Sequence, residues 1–296
     1  MKIITVTLSP ALDIEYHTIA VNPSGLNRTS SHKITAGGKG VNVSRSILNC
    51  AKNENTPVSL VTFAPLGGDT GEMFKAILKR VQMPVTAVEI EGNTRVNTSL
   101  IPETGDSVEI NAPGTPIGEK LDEIETMLLD MIEPGDVAAV CGSCPADVAK
   151  SYPAELCAKI AAKGAHCVID CDGIALEKAV NASDVHPTYI KPNHEELAGL
   201  TGMDTSAPEG VMKAAESVAQ RTGITVITTM AGDGAVITDE SGSTFIPAVR
   251  RPVVRLKGAG DTFLGAFLYA KYVKKLGNAD AVAFAQDVAG RYVAGE

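Results

Sequence analysis

Short apolar runs at residues 3–8, 58–64, 137–141, 168–171, 189–191 and 226–230 alternate with longer, Ala-rich segments whose apolar positions recur at helical spacing. Those helical segments are expected at 40–53, 71–81, 117–132, 146–163, 194–201 and 208–222. Strands that are apolar on both faces must be covered on both, and strands separated by helices imply parallel pairing. The pattern therefore predicts an α/β fold, doubly wound about a mostly parallel sheet. Two segments break the rhythm. Residues 15–35 and 86–109 alternate polar and β-branched positions, as in His32-Lys-Ile-Thr35 and Arg95-Val-Asn-Thr-Ser-Leu-Ile101, which suits strands with one wet face. They are expected to form a small antiparallel sheet projecting from the core. Its apolar face needs a cover, and closing over a substrate or packing on a second subunit would each serve.

At 296 residues and 44% hydrophobic content the chain can bury a large core, as one large α/β domain or two smaller ones. No Pro/Ser-rich spacer, low-complexity block or internal repeat divides it, so a single domain over 1–296 is expected. The formal net charge of −9, with lysines and arginines scattered, argues against a nucleic-acid surface. Neither a membrane-length apolar span nor a signal peptide is evident, and a cytoplasmic protein is expected. Cys50, Cys141, Cys144, Cys157, Cys167 and Cys171 are then expected as reduced thiols. Cys141-Gly-Ser-Cys144 and Cys167-Val-Ile-Asp-Cys171 could supply four zinc ligands, or the first could be a redox dithiol; small thiols packed at strand ends account for both pairs as well.

Gly258-Ala259-Gly260-Asp261-Thr262 carries the strongest chemical signal. Two glycines let the backbone turn its amides inward, and an aspartate stands where the apolar helix from Thr262 begins. The unpaired first-turn N–H groups and the positive end of the helix dipole can hold a developing negative charge. Asp261 is then placed to accept a hydroxyl proton during phosphoryl transfer, although Gly-x-Gly-Asp also reads as a turn with an Asp cap. Gly37-Gly38-Lys39-Gly40-Val41-Asn42-Val43 is a second glycine turn entering a helix, and is neither a Walker A loop nor a dinucleotide fingerprint. Asn42 offers a donor and an acceptor that suit sugar hydroxyls. Ser9-Pro-Ala-Leu-Asp13 puts a carboxylate just after the first strand, at the end where open α/β sheets bind ligands; an Asx-turn is the plainer reading of Asp13. Arg95 and Arg28 are the candidate anion clamps, with surface solvation as the alternative. In Lys191-Pro-Asn-His-Glu-Glu-Leu197 a helix starts near Asn193, placing Asn193 and Glu196 on one face. That pair can order waters around a magnesium ion or form a capping box.

Taken together, these motifs resemble the ribokinase-like carbohydrate kinases, and within them the phosphosugar branch of 1-phosphofructokinase, tagatose-6-phosphate kinase and the minor 6-phosphofructokinase. The resemblance spans nearly the whole chain through Thr7-Leu-Ser-Pro-Ala-Leu-Asp13, residues 37–43, Arg95-Val-Asn97, Glu109-Ile-Asn-Ala-Pro-Gly114, Gly142-Ser-Cys-Pro145, Asp170-Cys-Asp-Gly-Ile-Ala-Leu176, residues 191–197 and Gly258-Ala-Gly-Asp261. It implies that ATP and Mg2+ serve phosphorylation of a ketohexose phosphate, fructose 1-phosphate first, with tagatose 6-phosphate and fructose 6-phosphate as alternatives. It implies a sugar grip of Asp13, Gly38 and Asn42, with Arg95 and Arg28 on the sugar's existing phosphate. Lys191 and Asn193 would lie near the nucleotide phosphates, Glu196 would act on magnesium through water, and Thr229, Gly232 and Gly234 would flank the nucleotide. Asp261 would be the base beneath an anion hole of Ala259, Gly260 and Asp261 amides, with Gly258 setting the turn. The projecting sheet would be a lid that also forms a homodimer.

Three departures from the branch stand out. Ser9 replaces a more usual Asn, Cys144 replaces a usual Leu, and the sequence ends at Ala289-Gly-Arg-Tyr-Val-Ala-Gly-Glu296, before a final loop and helix expected to help wall the adenine. A sugar-phosphate-binding protein without transfer activity is the alternative of another class; the intact Asp261 speaks against it.

Overall fold

The fold is described from a computed structural model that covers every residue except Asp172 and Asp184. With strands and helices numbered in chain order, β1 (Ile3–Val6), β4 (Leu60–Leu66), β5 (Val85–Glu89), β8 (Val137–Cys141), β9 (His166–Asp170), β10 (Tyr189–Ile190) and β11 (Thr225–Thr229) run parallel. Two strands, β12 (Gly234–Asp239) and β13 (Gly242–Pro247), turn back as an antiparallel edge. Among the described residues these nine form one sheet in the order β13-β12-β11-β10-β9-β8-β1-β4-β5. The strand order reverses at β1, which pairs with β4 on one side and β8 on the other. A crevice therefore opens beyond the carboxyl ends of β1 and β8, the place where open α/β sheets take ligands.

Alternate residues of each strand feed two cores. Ile4, Ala138 and Ile169 face α3 (Leu121–Asp130), α4 (Tyr152–Ala162), α5 (Gly173–Val180) and α7 (Pro208–Thr222). Their neighbours Ile3, Val137 and Val168 face α1 (Lys39–Asn53), α8 (Ala259–Leu268) and α9 (Asn278–Ala294). Burial of each large apolar side chain in these layers stabilises the fold by roughly 1.5–3 kcal/mol. The α1–α8 contact positions the chemistry. A Cβ on Gly265 would lie 2.5 Å from Val43 O, so only glycine lets the two helices cross this closely. Ser46 Oγ then donates to Thr262 O at 2.7 Å, tying the start of α8 to α1.

A second sheet, in the order β3 (Ser31–Gly37), β2 (Ala11–Thr18), β6 (Arg95–Pro102), β7 (Val108–Ile110), projects from this body. Its base packs on α2 (Gly68–Arg80) through Leu12, Ala36, Phe74 and Leu78. It is mixed rather than antiparallel, because β2 and β6 pair in parallel while β2–β3 and β6–β7 are antiparallel. Both central strands leave the main sheet from parallel strands, β1 and β5, and so set out in the same direction. The second segment is also shorter than 86–109. Residues up to Glu89 belong to β5, paired with β4 from Thr62↔Val85 to Leu66↔Glu89. The alternation read there as a projecting strand is that of an edge strand, exposed on one side.

The cysteines need one correction. Cys157 on α4 and Cys167 on β9 are joined in a disulfide with a Cα separation of 5.7 Å, so six reduced thiols is not the state seen. Packing of α4 on the sheet brings these two buried side chains together. Cys141 and Cys171 are buried at the ends of adjacent strands, and no group of three or more His, Cys, Asp and Glu among the described residues could hold a metal ion. No helix among the described residues is long and apolar enough to cross a membrane.

Candidate active site

Gly258 adopts φ 84°, a left-handed conformation that glycine alone adopts without strain, and α8 begins at the next residue. The Ala259 amide donates to Leu256 O at 3.1 Å. Of the three amides expected to hold an anion, the turn itself thus uses the first, and among the described residues those of Gly260 and Asp261 have no backbone partner outside the helix. Asp261 is 9% exposed at the head of an otherwise apolar helix. Its Oδ2 accepts from Asn42 Nδ2 at 2.8 Å. Burial raises the Asp261 pKa above the ordinary carboxylate value and the nearby Asp170 charge adds to that, while Asn42, Lys191 and Lys39 oppose it. Asn42 does not present its whole amide to a sugar, since its Oδ1 accepts from Arg45 at 2.6 Å.

Beside this helix start lie two lysines and a buried carboxylate. Lys191 follows β10 and its Nζ is 3.1 Å from Asp170 Oδ1, with both side chains buried. A Cβ built on Gly260 would lie 3.7 Å from that same ammonium, so Lys191 sits beside the start of α8. Lys39, from the glycine turn, reaches the same Asp170 oxygen at 3.8 Å. Asp170 holds the Lys39 pKa well above the usual lysine value against the opposing effect of burial; Asp261, Cys171 and Glu196 add to the attraction. Asn193 and Glu196 form a reciprocal capping box on α6 (His194–Thr201), with Glu196 Oε2 accepting from Asn193 N and Asn193 Oδ1 accepting from Glu196 N, each at 2.8 Å. One Glu196 oxygen remains for a hydrated ion. Thr229 lies alongside, bridged to Asn193, and its N–H donates to Pro192 O at 3.2 Å. Gly232 sits in the exposed turn after Thr229, and Gly234 opens β12. Asp172, within the 170–176 motif, lies outside the described residues.

On the other side of Asp261 the switch-point crevice holds a cavity of about 160 Å³ lined by Thr7, Ser9, Gly38, Lys39, Arg95 and the loop after β8. Among the described residues the buried Thr7 Oγ1, Ser9 Oγ, Arg95 Nε and Asp170 Oδ2 have no hydrogen-bond partner. Unsatisfied groups of this kind cost free energy until a polar ligand or water meets them. Arg95 donates through its terminal nitrogens to Ser9 O at 2.9 Å and Ala112 O at 3.1 Å, so it braces the cavity wall as well as facing it. Asp13 Oδ1 accepts from Asn97 Nδ2 at 2.9 Å, and burial raises its pKa against the pull of Asn97, Lys257 and Arg95. Gly37 is required beneath it, because a Cβ there would overlap Asp13 Oδ2. The structure does not bring Arg28 to this cluster. It lies exposed on the segment between β2 and β3.

The sequence matches the pattern of the pfkB family carbohydrate kinases over residues 8–294. The chain belongs to that family. It is 31% identical over 266 residues to 1-phosphofructokinase of Bacillus subtilis (strain 168), covering 90% of this chain and 84% of that protein. It is 30% identical over 290 residues to D-tagatose-1-phosphate kinase of Klebsiella oxytoca, covering 97% and 92%. The fold superposes with a TM-score of 0.89 and 27% identity on phosphofructokinase-2 from Escherichia coli in complex with fructose-6-phosphate, covering 99% of this chain and 93% of that one.

In this carbohydrate kinase three polar residues matter more to the site's geometry than their sequence context indicated. Arg45 fixes Asn42, Asn97 fixes Asp13, and Asp170 anchors both lysines. Asp170 ends a buried strand at the ligand-binding edge, which was the available signal for it. Asn97 closes the Arg95-Val-Asn97 motif, whereas the signal for Arg45 lies only in its partners. The donor set also fits magnesium. That ion keeps several waters and needs few protein carboxylates, and here Glu196 has one oxygen outside its capping-box bond.

Proposed function

We propose that this kinase transfers the terminal phosphoryl group of ATP to a hydroxyl of a ketohexose phosphate, with fructose 1-phosphate giving fructose 1,6-bisphosphate as the leading assignment. One observation carries the reading. A buried carboxylate held by an amide, Asp261 with Asn42, heads a helix whose Gly260 and Asp261 amides have no backbone partner outside the helix among the described residues, and the buried Lys191 ammonium lies 3.7 Å from where a Cβ on Gly260 would stand. Asp261 takes the hydroxyl proton as the acceptor oxygen bonds to phosphorus and the bond to ADP breaks. The Gly260 and Asp261 amides with Lys191 stabilise the charge gathering on the transferred group. Asp13 and Gly38 hold the sugar with the remaining Asn42 N–H, and Arg95 meets its phosphate from the cavity wall. Arg28, out on the projecting sheet, takes part only when that sheet closes as a lid. Asn193, Thr229, Gly232 and Gly234 flank the nucleotide. Glu196, through water, would hold a magnesium ion, whose chemistry is to neutralise phosphate charge.

The relatives support a phosphorylated acceptor, since 1-phosphofructokinase and D-tagatose-1-phosphate kinase both carry one in their names. Fructose 6-phosphate is the second reading, favoured by its presence in the similar Escherichia coli structure. Coupled ADP release across fructose 1-phosphate, fructose 6-phosphate, the tagatose phosphates and plain fructose tests both. Equal rates with plain fructose would refute the phosphate requirement, and no release with any acceptor would leave a binding protein. We also read residues 1–296 as one kinase domain and the lid as a homodimer surface. The exposed Val108 and Ile110 on β7, with Ile19 and Leu26 in the β2–β3 connection, support the latter, and light scattering tests it.

A further inference from the structure

We propose that Arg45 is a positioning residue that acts through Asn42 to hold Asp261 in its proton-accepting geometry. The inference rests on the reading of Asp261 as the base. Arg45 Nη1 donates to Asn42 Oδ1 at 2.6 Å and its Nη2 donates to Ala36 O, also at 2.6 Å. A guanidinium only donates and a carboxylate only accepts, so the two ends of the Asn42 amide are assigned independently and agree. Its oxygen faces Arg45 and its NH2 faces Asp261. The Asp261 Oδ2 is thereby occupied, and Oδ1, which has no hydrogen bond among the described residues, is the oxygen left to face an incoming hydroxyl. Because Ala36 precedes Gly37 and Gly38, the same guanidinium also fixes the sugar-binding turn relative to the base.

Arg45 is not an ordinary surface arginine. It is half-buried, and burial lowers its pKa, opposed by attraction to Tyr292 on α9, Asp13 on β2 and Asp261. The groups facing Asp261 itself are Asn42 and Lys39 from α1, Asp170 at the end of β9 and Lys191 after β10. Among the described residues Asn42 alone is hydrogen-bonded to its carboxylate, so the orientation of that one amide sets its hydrogen bonding there.

Without Arg45 the amide is held at one end, and its oxygen can swing toward the carboxylate. The Arg45→Met variant should lose about 10–100-fold in kcat, the scale of one hydrogen bond to a charged group. The Arg45→Lys variant should recover only part, since an ammonium cannot reproduce the fixed fork. Two measurements decide the matter. In a double-mutant cycle with Asn42→Ala, the Arg45→Met effect on kcat should largely vanish; additive losses would overturn the proposal. Carboxyl titration by NMR of the unliganded protein should show Asp261 moving to higher pH in Arg45→Met, by more than in an Asn42→Ala background where only the direct loss of charge remains, and in the same direction but less in Arg45→Lys, which keeps the charge. An unmoved titration overturns the positioning role whatever the kinetics show. A moved titration in a protein without kinase activity keeps the role and refutes the proposed function instead.

Discussion

Replacing Asp261 by Asn keeps the side chain's shape and removes its capacity to take a proton. The structure dictates how the new amide will sit. Asn42 presents its NH2 to Oδ2 at 2.8 Å, so the Asn oxygen must occupy that position to go on accepting. The new NH2 then stands where Oδ1 was, a donor facing the hydroxyl that has to give up its own proton. The loss expected is that of a whole general base, about 10²–10⁴ in kcat, or roughly 3–5 kcal/mol of transition-state stabilisation at 1.36 kcal/mol per tenfold. Ground-state binding should hardly change, because the side-chain volume is kept and the sugar contacts on Asp13 and Gly38 are untouched. Nor should the fold suffer. Burial and Asp170 raise the Asp261 pKa, which means that the ionised form opposes folding above that pKa, and the amide removes that opposition. Coupled ADP release at saturating substrates measures the turnover, and calorimetry measures the sugar-phosphate affinity. A variant that retains more than about a tenth of wild-type kcat would refute Asp261 as the base.

Lys191→Met should move the acid limb of the kcat/KM profile to higher pH, because Lys191 pulls the Asp261 pKa down and the base must be ionised to act; a limb that stays or moves lower contradicts the placement. The same change leaves Asp170 with only Lys39, and should destabilise by somewhat less than the roughly 3–5 kcal/mol of a fully broken buried pair in thermal or denaturant unfolding. Gly37→Ala pushes a Cβ into Asp13 Oδ2 and should raise KM for the sugar at least about tenfold, some 1.4 kcal/mol, with KM for ATP little changed. Equal losses for both substrates would remove Asp13 from the sugar site. Lys257→Ala breaks an exposed contact between the loop before Gly258 and Glu109 of the projecting sheet, 3.1 Å long and worth about 0.2–1 kcal/mol. The sugar KM should rise no more than about fivefold, and a larger rise would mean that Lys257 touches substrate itself. Chelation should stop turnover while circular dichroism stays native, since magnesium is carried largely by phosphates and water; unfolding on chelation would instead point to a structural metal.

How far the sequence reached depended on whether the deciding signal was local. Helices 194–201 and 208–222 were drawn with their observed bounds because their ends are marked in the chain itself. Asn193 caps the first and left-handed Gly202 stops it, while Pro208 starts the second and left-handed Gly223 ends it. Strand 137–141 was equally plain, an apolar run buried throughout. The last helix, Asn278–Ala294, was not drawn, and its alanine-rich face buries only Ala281, Val282, Ala285 and Ala289, a weak periodic signal. Strand Gly242–Pro247 was missed for a related reason, since an edge strand with exposed positions carries little apolar pattern. At the site, the glycine turns and Asp261 were legible from their own neighbours. What was not legible joins distant positions. Asn42 and Asp261 are 219 residues apart in the chain, and Asn97 meets Asp13 across 84. The Ala259 amide was misassigned because whether Leu256 O would reach it depends on the turn's closure in space.

The site's charges also explain why a carboxylate so poorly placed for ionisation suits the chemistry. Lys39 and Lys191 converge on one oxygen of Asp170, and Asp261 stands close enough for all three charges to act on its pKa. With both carboxylates ionised, these four side chains sum to zero, and an arriving phosphate finds no excess positive charge among them. Proton uptake by Asp261 leaves the group at +1, which favours the anion. Burial and Asp170 raise the Asp261 pKa, and an incoming phosphate raises it further by like-charge repulsion. That shift lowers the fraction of base ready to act, yet it also makes the ionised base a stronger proton acceptor, nearer in pKa to the working pH. On the proposed reading, the proton that Asp261 takes from the attacking hydroxyl cancels its charge as negative charge builds on the transferred group. Among the described residues of this cluster, Asp170 alone would then oppose the lysines and the two helix-start amides, so on that reading their pull on the phosphoryl oxygens would be greatest in the transition state, where it accelerates the reaction rather than merely tightening binding.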